Sequence, residues 1–223
     1  MKLWESVEMQ PPYSVNENPS TGKFLPVQRF IKNERNVRYT ADELVKIAIK
    51  TATDEYQNSL SICLEELINN FFDHSASKNQ LPCLVSAQSW PRGNLVQIAI
   101  ADAGIGIRGS LSVSRDQELL IRLKKTNACK LASEYGTSSK LGFGHAGYGL
   151  TLAKDLMKQA GGSFLLLSGD ELFANSNNIE TTQKIKGHWK GTLIVLFHLS
   201  ILLCYWGWFY PLQSHYLPYY SST

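Results

Sequence analysis

Between Thr53 and about Ser75, apolar side chains return every three or four residues. At about 100° per residue, Leu60, Leu64, Leu67, Ile68, Phe71 and Phe72 share one wide stripe, which predicts a long helix packed on a core. Glu66, Asn70 and Asp73 fall within roughly 60° of one another on the border of that stripe, whereas Glu65 points about 100° away from Glu66 and is expected to be solvated. A shorter amphipathic helix is predicted from Thr40, read as an N-cap ahead of Asp42 and Glu43, to about Ala52. Leu84 to Ser89 and Leu95 to Ala101 read as strands, joined by the turn-rich Pro91-Arg92-Gly93-Asn94. In the second strand Val96, Ile98 and Ile100 share a face, and Asp102 has the same parity, so a carboxylate is directed at the apolar side. Burying that charge is costly unless a donor meets it. An adenine exocyclic amine would be such a donor.

Further along, Ser110 to about Phe143 is long, polar and partly helical, most clearly from Asp116 to Ala132. A helix from about Tyr148 to Ala160 is stopped by Gly161-Gly162. Ser163 to Leu167 reads as a strand, Asp170 to Gly187 as a polar loop, and Gly191 to Leu199 as a final strand. The chain thus divides into a proline-bearing arm (1–39) with one extended candidate at Lys23 to Phe30, a domain (40–199), and an aromatic, almost uncharged extension (200–223). Leu193 to Leu212 has the length of a membrane span, but Gly191 to Leu196 serves better as a core strand, and the remainder is too short to cross. Membrane contact through the extension is therefore the lesser reading, and a packed or disordered extension the greater.

A chain of 223 residues with a net charge of +3 is long enough to bury a substantial core and too mildly charged to argue for nucleic acid. Its densest basic group, Arg115, Arg122, Lys124, Lys125 and Lys130, falls on a helix expected to be exposed, where a solvated face is the simpler reading; no nucleic-acid partner is expected. Cys63, Cys83, Cys129 and Cys204 are widely spaced and form no C-x-x-C pair, which suits reduced thiols. Met1-Lys2-Leu3-Trp4-Glu5 lacks the apolar core of a signal peptide, so a cytoplasmic location is expected.

Three segments carry the chemistry. Glu66-Leu67-Ile68-Asn69-Asn70-Phe71-Phe72-Asp73-His74 lies on the long helix, Ala101-Asp102-Ala103-Gly104-Ile105-Gly106-Ile107 ends the strand, and Gly144-His145-Ala146-Gly147-Tyr148-Gly149-Leu150 opens a later helix. Gly104 and Gly106 would allow close backbone approach to a base, since no Cβ intervenes. Gly144, Gly147 and Gly149 would let backbone N–H groups surround phosphates at the positive end of a helix.

In this order the segments resemble the GHKL superfamily of ATP-binding domains, which includes gyrase-type topoisomerases, large heat-shock chaperones, histidine kinases, mismatch-repair ATPases and anti-sigma serine kinases. The resemblance covers roughly Thr40 to Leu199, and Gly191-Thr192 ahead of the last strand is a fourth agreement. It implies an α+β architecture, the two-layer α/β sandwich called the Bergerat fold, with helices on one face of a mixed, mainly antiparallel sheet. It also implies ATP and Mg²⁺ as ligands, with Asn70 coordinating the metal, Glu66 as general base, Asp73 supporting the phosphate side unless it is merely a surface charge, and Asp102 reading adenine with help from Thr192. His74 matches a position often held by His, although a packing role at the helix end is the simpler reading. The stretch between the two glycine motifs corresponds to a mobile lid, from which Thr137, Ser138, Ser139 or Lys140 would reach the phosphates.

Neither a transducer domain after the last strand nor a helical pair with a phosphoacceptor histidine before the first is expected. This makes the chain most similar to single-domain regulators such as the anti-sigma serine kinases. Three activities stay open: phosphoryl transfer to a regulatory protein partner, slow ATP hydrolysis as a conformational switch, and nucleotide binding without catalysis. Homodimerisation is left open as well.

Overall fold

The computed structural model describes residues 24–30, 37–48, 53–74, 83–90, 95–137 and 148–199. Their elements run β1 (Phe24–Phe30), α1 (Val37–Ala48), α2 (Asp54–His74), β2 (Cys83–Trp90), β3 (Leu95–Ala101), α3 (Gly106–Ser112), α4 (Gln117–Lys125), α5 (Ala128–Ala132), α6 (Gly149–Gln159), β4 (Ser163–Ser176) and β5 (Ile179–Leu199). The strands form one sheet in the order β1-β2-β3-β5-β4. Every pairing among the described strands is antiparallel, so the expected mixed sheet is here wholly antiparallel. β1 is the edge strand anticipated in the N-terminal arm, and its ladder shifts register between Leu25 and Gln28. Pro26 sits within that shift, where a missing N–H costs the ladder nothing.

Two-residue periodicity builds the helix-facing layer of the sheet. Val85, Ile100, Ile194 and Leu166 align in one row across four strands, and Ala87, Ile98, Leu196 and Phe164 in the next. All eight are buried. Against these rows pack Leu44 and Val45 of α1, the predicted stripe of α2, and Ala153, Leu156 and Met157 of α6. The result is the α+β sandwich that the sequence implied, with Phe72 alone of the α2 stripe only partly buried.

Several local expectations need correction. α1 begins at Val37, so Thr40 is an interior position, buried at 4% exposure, and not an N-cap. Val37 packs on the core, and Arg38 pairs with Asp42 one turn on (3.4 Å), which together extend the helix backwards. Thr53 does cap α2, its hydroxyl accepting from Tyr56 N–H at 3.4 Å. Glu65, expected in solvent, is half-buried because the Arg38 guanidinium reaches it at 3.4 Å. Up to Thr137, the polar stretch after Ser110 contributes to three helices rather than one. α3, α4 and α5 surround a second core of Leu111, Leu119, Leu123, Ala128, Leu131 and Ala132. Thr126, extended at φ −124°, interrupts what had read as one helix, and Asn127 starts the next by accepting from Lys130 N–H at 3.0 Å.

The largest correction lies between Asp170 and Gly187. This segment is not a loop; β4 and β5 continue through it as a long hairpin arm reversed at Asn177 and Asn178, with φ of 51° and 63°. Those left-handed angles are what a two-residue hairpin turn needs, and asparagine tolerates them. α6 ends as predicted, with Gly161 at φ 63° and Gly162 N–H closing on Met157 O at 2.8 Å. No described helix is long and apolar enough to cross a membrane.

At the end of the core distant from Asp102, His198 of β5 is buried beside Tyr56, ring centroids 5.6 Å apart. No described residue offers a hydrogen bond to either imidazole nitrogen, and burial pushes the His198 pKa down to about 4 from 6.5. Because the folded pKa lies below the unfolded one, this contribution to stability is complete above about pH 6.5 and is lost as pH falls through about 4. We expect His198→Phe to flatten the acid limb, reducing by up to roughly 3 kcal/mol the stability difference between neutral and acid pH. Urea unfolding midpoints of both proteins at pH 7 and pH 5 measure this.

Candidate nucleotide-binding site

Asp102 follows the last residue of β3, one step beyond the row ending at Ile100. Its backbone N–H donates to Thr192 O at 2.8 Å, and its carboxylate accepts from Gly104 N–H at 2.6 Å and from the Thr192 hydroxyl and N–H. Burial raises the Asp102 pKa, and these hydrogen bonds work against that rise. The predicted inward acid therefore exists, and Thr192 and Gly104 stand against it. Gly191, at φ 104°, lies close enough that a Cβ would come within 2.6 Å of Asp102 Oδ1. Gly106, at φ 72°, leaves no room for a side chain because Ser168 Oγ would be 2.6 Å from its Cβ. Ser168 was not anticipated, yet it accepts from Ile107 N–H (2.8 Å) and donates to Gly191 O (2.7 Å), tying the glycine turn to both long strands.

The second part of the site stands where α2 meets α6. A Cβ on Gly149 would lie 2.6 Å from Asn70 Nδ2 and 3.4 Å from Glu66 Cβ. With glycine here the Asn70 amide lies directly against the N-terminus of α6, and the stem of Glu66 stands beside it. Tyr148 supplies no side-chain cap there, and such a helix end is of the kind that receives anions. Glu66 is exposed and Asn70 half-buried. Gly144 and Gly147 lie outside the described residues, as do Ser138, Ser139, Lys140 and the side chains of Asp73 and His74. The ends of the segment that carries both glycines are held together, however. Tyr135 and Tyr148 face each other with ring centroids 4.7 Å apart and hydroxyls 3.1 Å apart.

Topology places both parts at the same end of the molecule. Tyr56, in the first turn of α2, touches His198, which pairs with Val96 at the start of β3. Running about 21 Å from Tyr56 at 1.5 Å per residue, α2 carries Asn70 to the end where β3 reaches Asp102. Leu150, next to Gly149, packs against both cores, and Ile107 beside the glycine turn packs on the second. Among the described residues no cluster of three or more His, Cys, Asp or Glu side chains could hold a metal on its own.

One constellation had no sequence signal. Arg108, just beyond the glycine turn, grips Glu171 of β4 bidentately (Nε–Oε2 2.9 Å, NH2–Oε1 2.7 Å) and also donates to Leu123 O (2.8 Å) and Thr126 O (3.1 Å). Glu171 accepts in addition from Ala128 N–H at 3.3 Å. The clip fastens the three-helix segment α3–α5 to the hairpin arm. The basic group noted earlier does form a solvated face, with Arg122 paired to Glu134 and Lys130 to Glu180 at 3.5 Å.

No curated protein matches this chain. The family model described as histidine kinase-, DNA gyrase B-, and HSP90-like ATPase matches residues 55–199, which holds every part of the site, from Glu66 to Thr192. With the antiparallel sandwich and the Asp102–Thr192 contact already in place, the chain belongs to the histidine kinase-, DNA gyrase B- and HSP90-like ATPase family, and its domain is an ATP-binding one.

Proposed function

We propose that this protein binds Mg-ATP and passes the γ-phosphate to a regulatory protein partner. The observation that carries the reading is the meeting of Asn70 and Glu66 with Gly149 at the start of α6. It sets the Asn70 amide and the stem of Glu66 beside the first turn of α6, where in this reading an oxygen donor suited to a hard cation, a carboxylate and helix N–H groups would converge. In this reading Asp102 accepts the adenine amine, Thr192 supports it, and Gly104 and Gly106 let backbone approach the ring. Gly149, with Gly144 and Gly147, surrounds the phosphates, and Asp73 adds to the charge balance on that side. Asn70 would hold Mg²⁺, which would neutralise phosphate charge there. Glu66, exposed on the rim, would orient and deprotonate an incoming hydroxyl. An exposed base suits a protein substrate delivered from outside, whereas a hydrolase has more to gain from enclosing its water.

The test is to incubate the protein with γ-labelled ATP and an extract of its own host. Label on a protein band supports transfer; label released only as free phosphate supports the switch-ATPase reading instead. Glu66→Gln should keep ATP affinity while turnover falls by about 10²-fold or more. Unchanged turnover would remove Glu66 as base. Asp102→Asn should weaken ATP binding about tenfold or more, since an amide presents the adenine amine with a poorer acceptor and adds donors of its own. Equal affinity in a titration calorimeter would displace the base pocket from Asp102.

A further inference from the structure

We propose that the outer edge of the β4–β5 arm, from Ile179 to Lys190, takes an extended acidic segment of a protein partner as an additional strand. This rests on the partner-directed reading above and adds where the partner is held. β3 pairs with β5 only from Leu193 to Leu199, whereas β4 stays beside β5 all the way to Ile179. Below Leu193, the β3 side of β5 thus has no neighbouring strand among the described residues. In a two-residue hairpin the flanking pair, here Ser176 and Ile179, exchanges backbone hydrogen bonds. Alternation then turns the N–H and C=O groups of Glu180, Thr182 and Lys184 away from β4 and out to solvent. Unpaired backbone groups along an exposed edge are a template for strand addition.

The side chains indicate which strand. Residues 179–190 are exposed apart from the half-buried Ile185. They include Lys184, Lys186 and Lys190 against one acid, Glu180. Glu180 is engaged by Lys130 (3.5 Å) and Lys154 (3.6 Å), and Lys184 by Asp170 (3.1 Å). No described carboxylate pairs with Lys186 or Lys190, so an acidic strand would neutralise cations that the domain leaves unmatched. Trp189, 39% exposed, adds apolar area beside them. A second copy of the chain fits less well. It would set two positively charged edges against each other, whereas an acidic segment neutralises them.

The experiment uses a fluorescein-labelled, strand-length peptide of alternating Glu and Val, followed by anisotropy with the full chain, and its Lys-Val counterpart as control. The acidic peptide should bind, more weakly as salt rises, and the basic one should not. Lys186→Glu with Lys190→Glu should weaken binding about tenfold or more. Thr182→Pro should do the same while sparing the β4 ladder, because the N–H it removes faces outward. ATP binding should be unchanged in both variants. Equal peptide affinity in either variant, or no affinity in the parent, would overturn the proposal. So would capture of a labelled single-stranded oligonucleotide in place of the peptide, or a concentration-dependent dimer that Thr182→Pro abolishes. A parent that binds ATP but not the peptide sinks the edge alone; one that binds the peptide but not ATP sinks the nucleotide reading and leaves the edge standing.

Discussion

Replacing Gly191 by alanine should abolish measurable ATP binding and lower the melting temperature of the domain. At φ 104° an alanine is strained before any contact is considered, and its Cβ would collide with the carbonyl oxygen of Asp102 and come within 2.6 Å of Oδ1. Backbone strain of this kind costs about 1–3 kcal/mol. Relief requires β5 to move away from β3, which stretches the 2.8 Å bond between Asp102 N–H and Thr192 O and withdraws Thr192 from the carboxylate. Gly187→Ala on the same strand is the control, because a Cβ there meets nothing within 4 Å and its φ is not left-handed. Calorimetric titration with ATP and a thermal melt on both variants separate the site from the strand. A Gly191→Ala protein that binds ATP like the parent would show that the Asp102–Thr192 contact does not shape the pocket.

Arg108→Ala should be the most destabilising substitution of a charged residue, by about 2–3 kcal/mol. Removing one member of a buried ion pair leaves the other charge without its partner, at about 3–5 kcal/mol when both are buried. Glu171 is nearly enclosed, at 6% side-chain exposure, but Arg108 is 47% exposed, so the figure falls toward the lower end. The same substitution frees Leu123 O and Thr126 O and loosens α3–α5 from the arm. Arg108→Lys should recover only part of the loss, since an ammonium cannot make the bidentate fork. Urea unfolding midpoints decide it. A loss below about half a kcal/mol, the level of ordinary surface substitutions, would mean that the second core holds the segment without the clip.

Arg108 falls where reading the chain alone had least to offer, whereas Gly191 stands in a motif that the chain displays. α2 was legible because one of its faces is almost wholly apolar, and a stripe of that width survives any arrangement of neighbours. The β3 parity argument succeeded for a related reason. Val96, Ile98 and Ile100 are buried on one side at 2–3% exposure, so Asp102 had to lie toward the same side. The hairpin arm escaped because its inward positions are Glu171, Phe173 and Asn175, two of them polar, and its outer strand is exposed. Period-two alternation of apolar residues is lost under those conditions. The reversal at Asn177-Asn178 was the one local sign available.

What the amino-acid sequence determined by itself is therefore the set of local preferences: the helix stripe, the strand parity, the glycines that permit close backbone approach, and the family to which their order points. Only the tertiary structure decided that Gly149 meets Asn70 and Glu66, that Arg108 finds Glu171 across 63 positions of chain, and that β5 runs past β3 into an open edge. The physical reason is range. Periodicity records which side of an element faces the core, whereas ion pairs, interhelical contacts and strand ends depend on groups far apart in sequence that become neighbours only when the layers close.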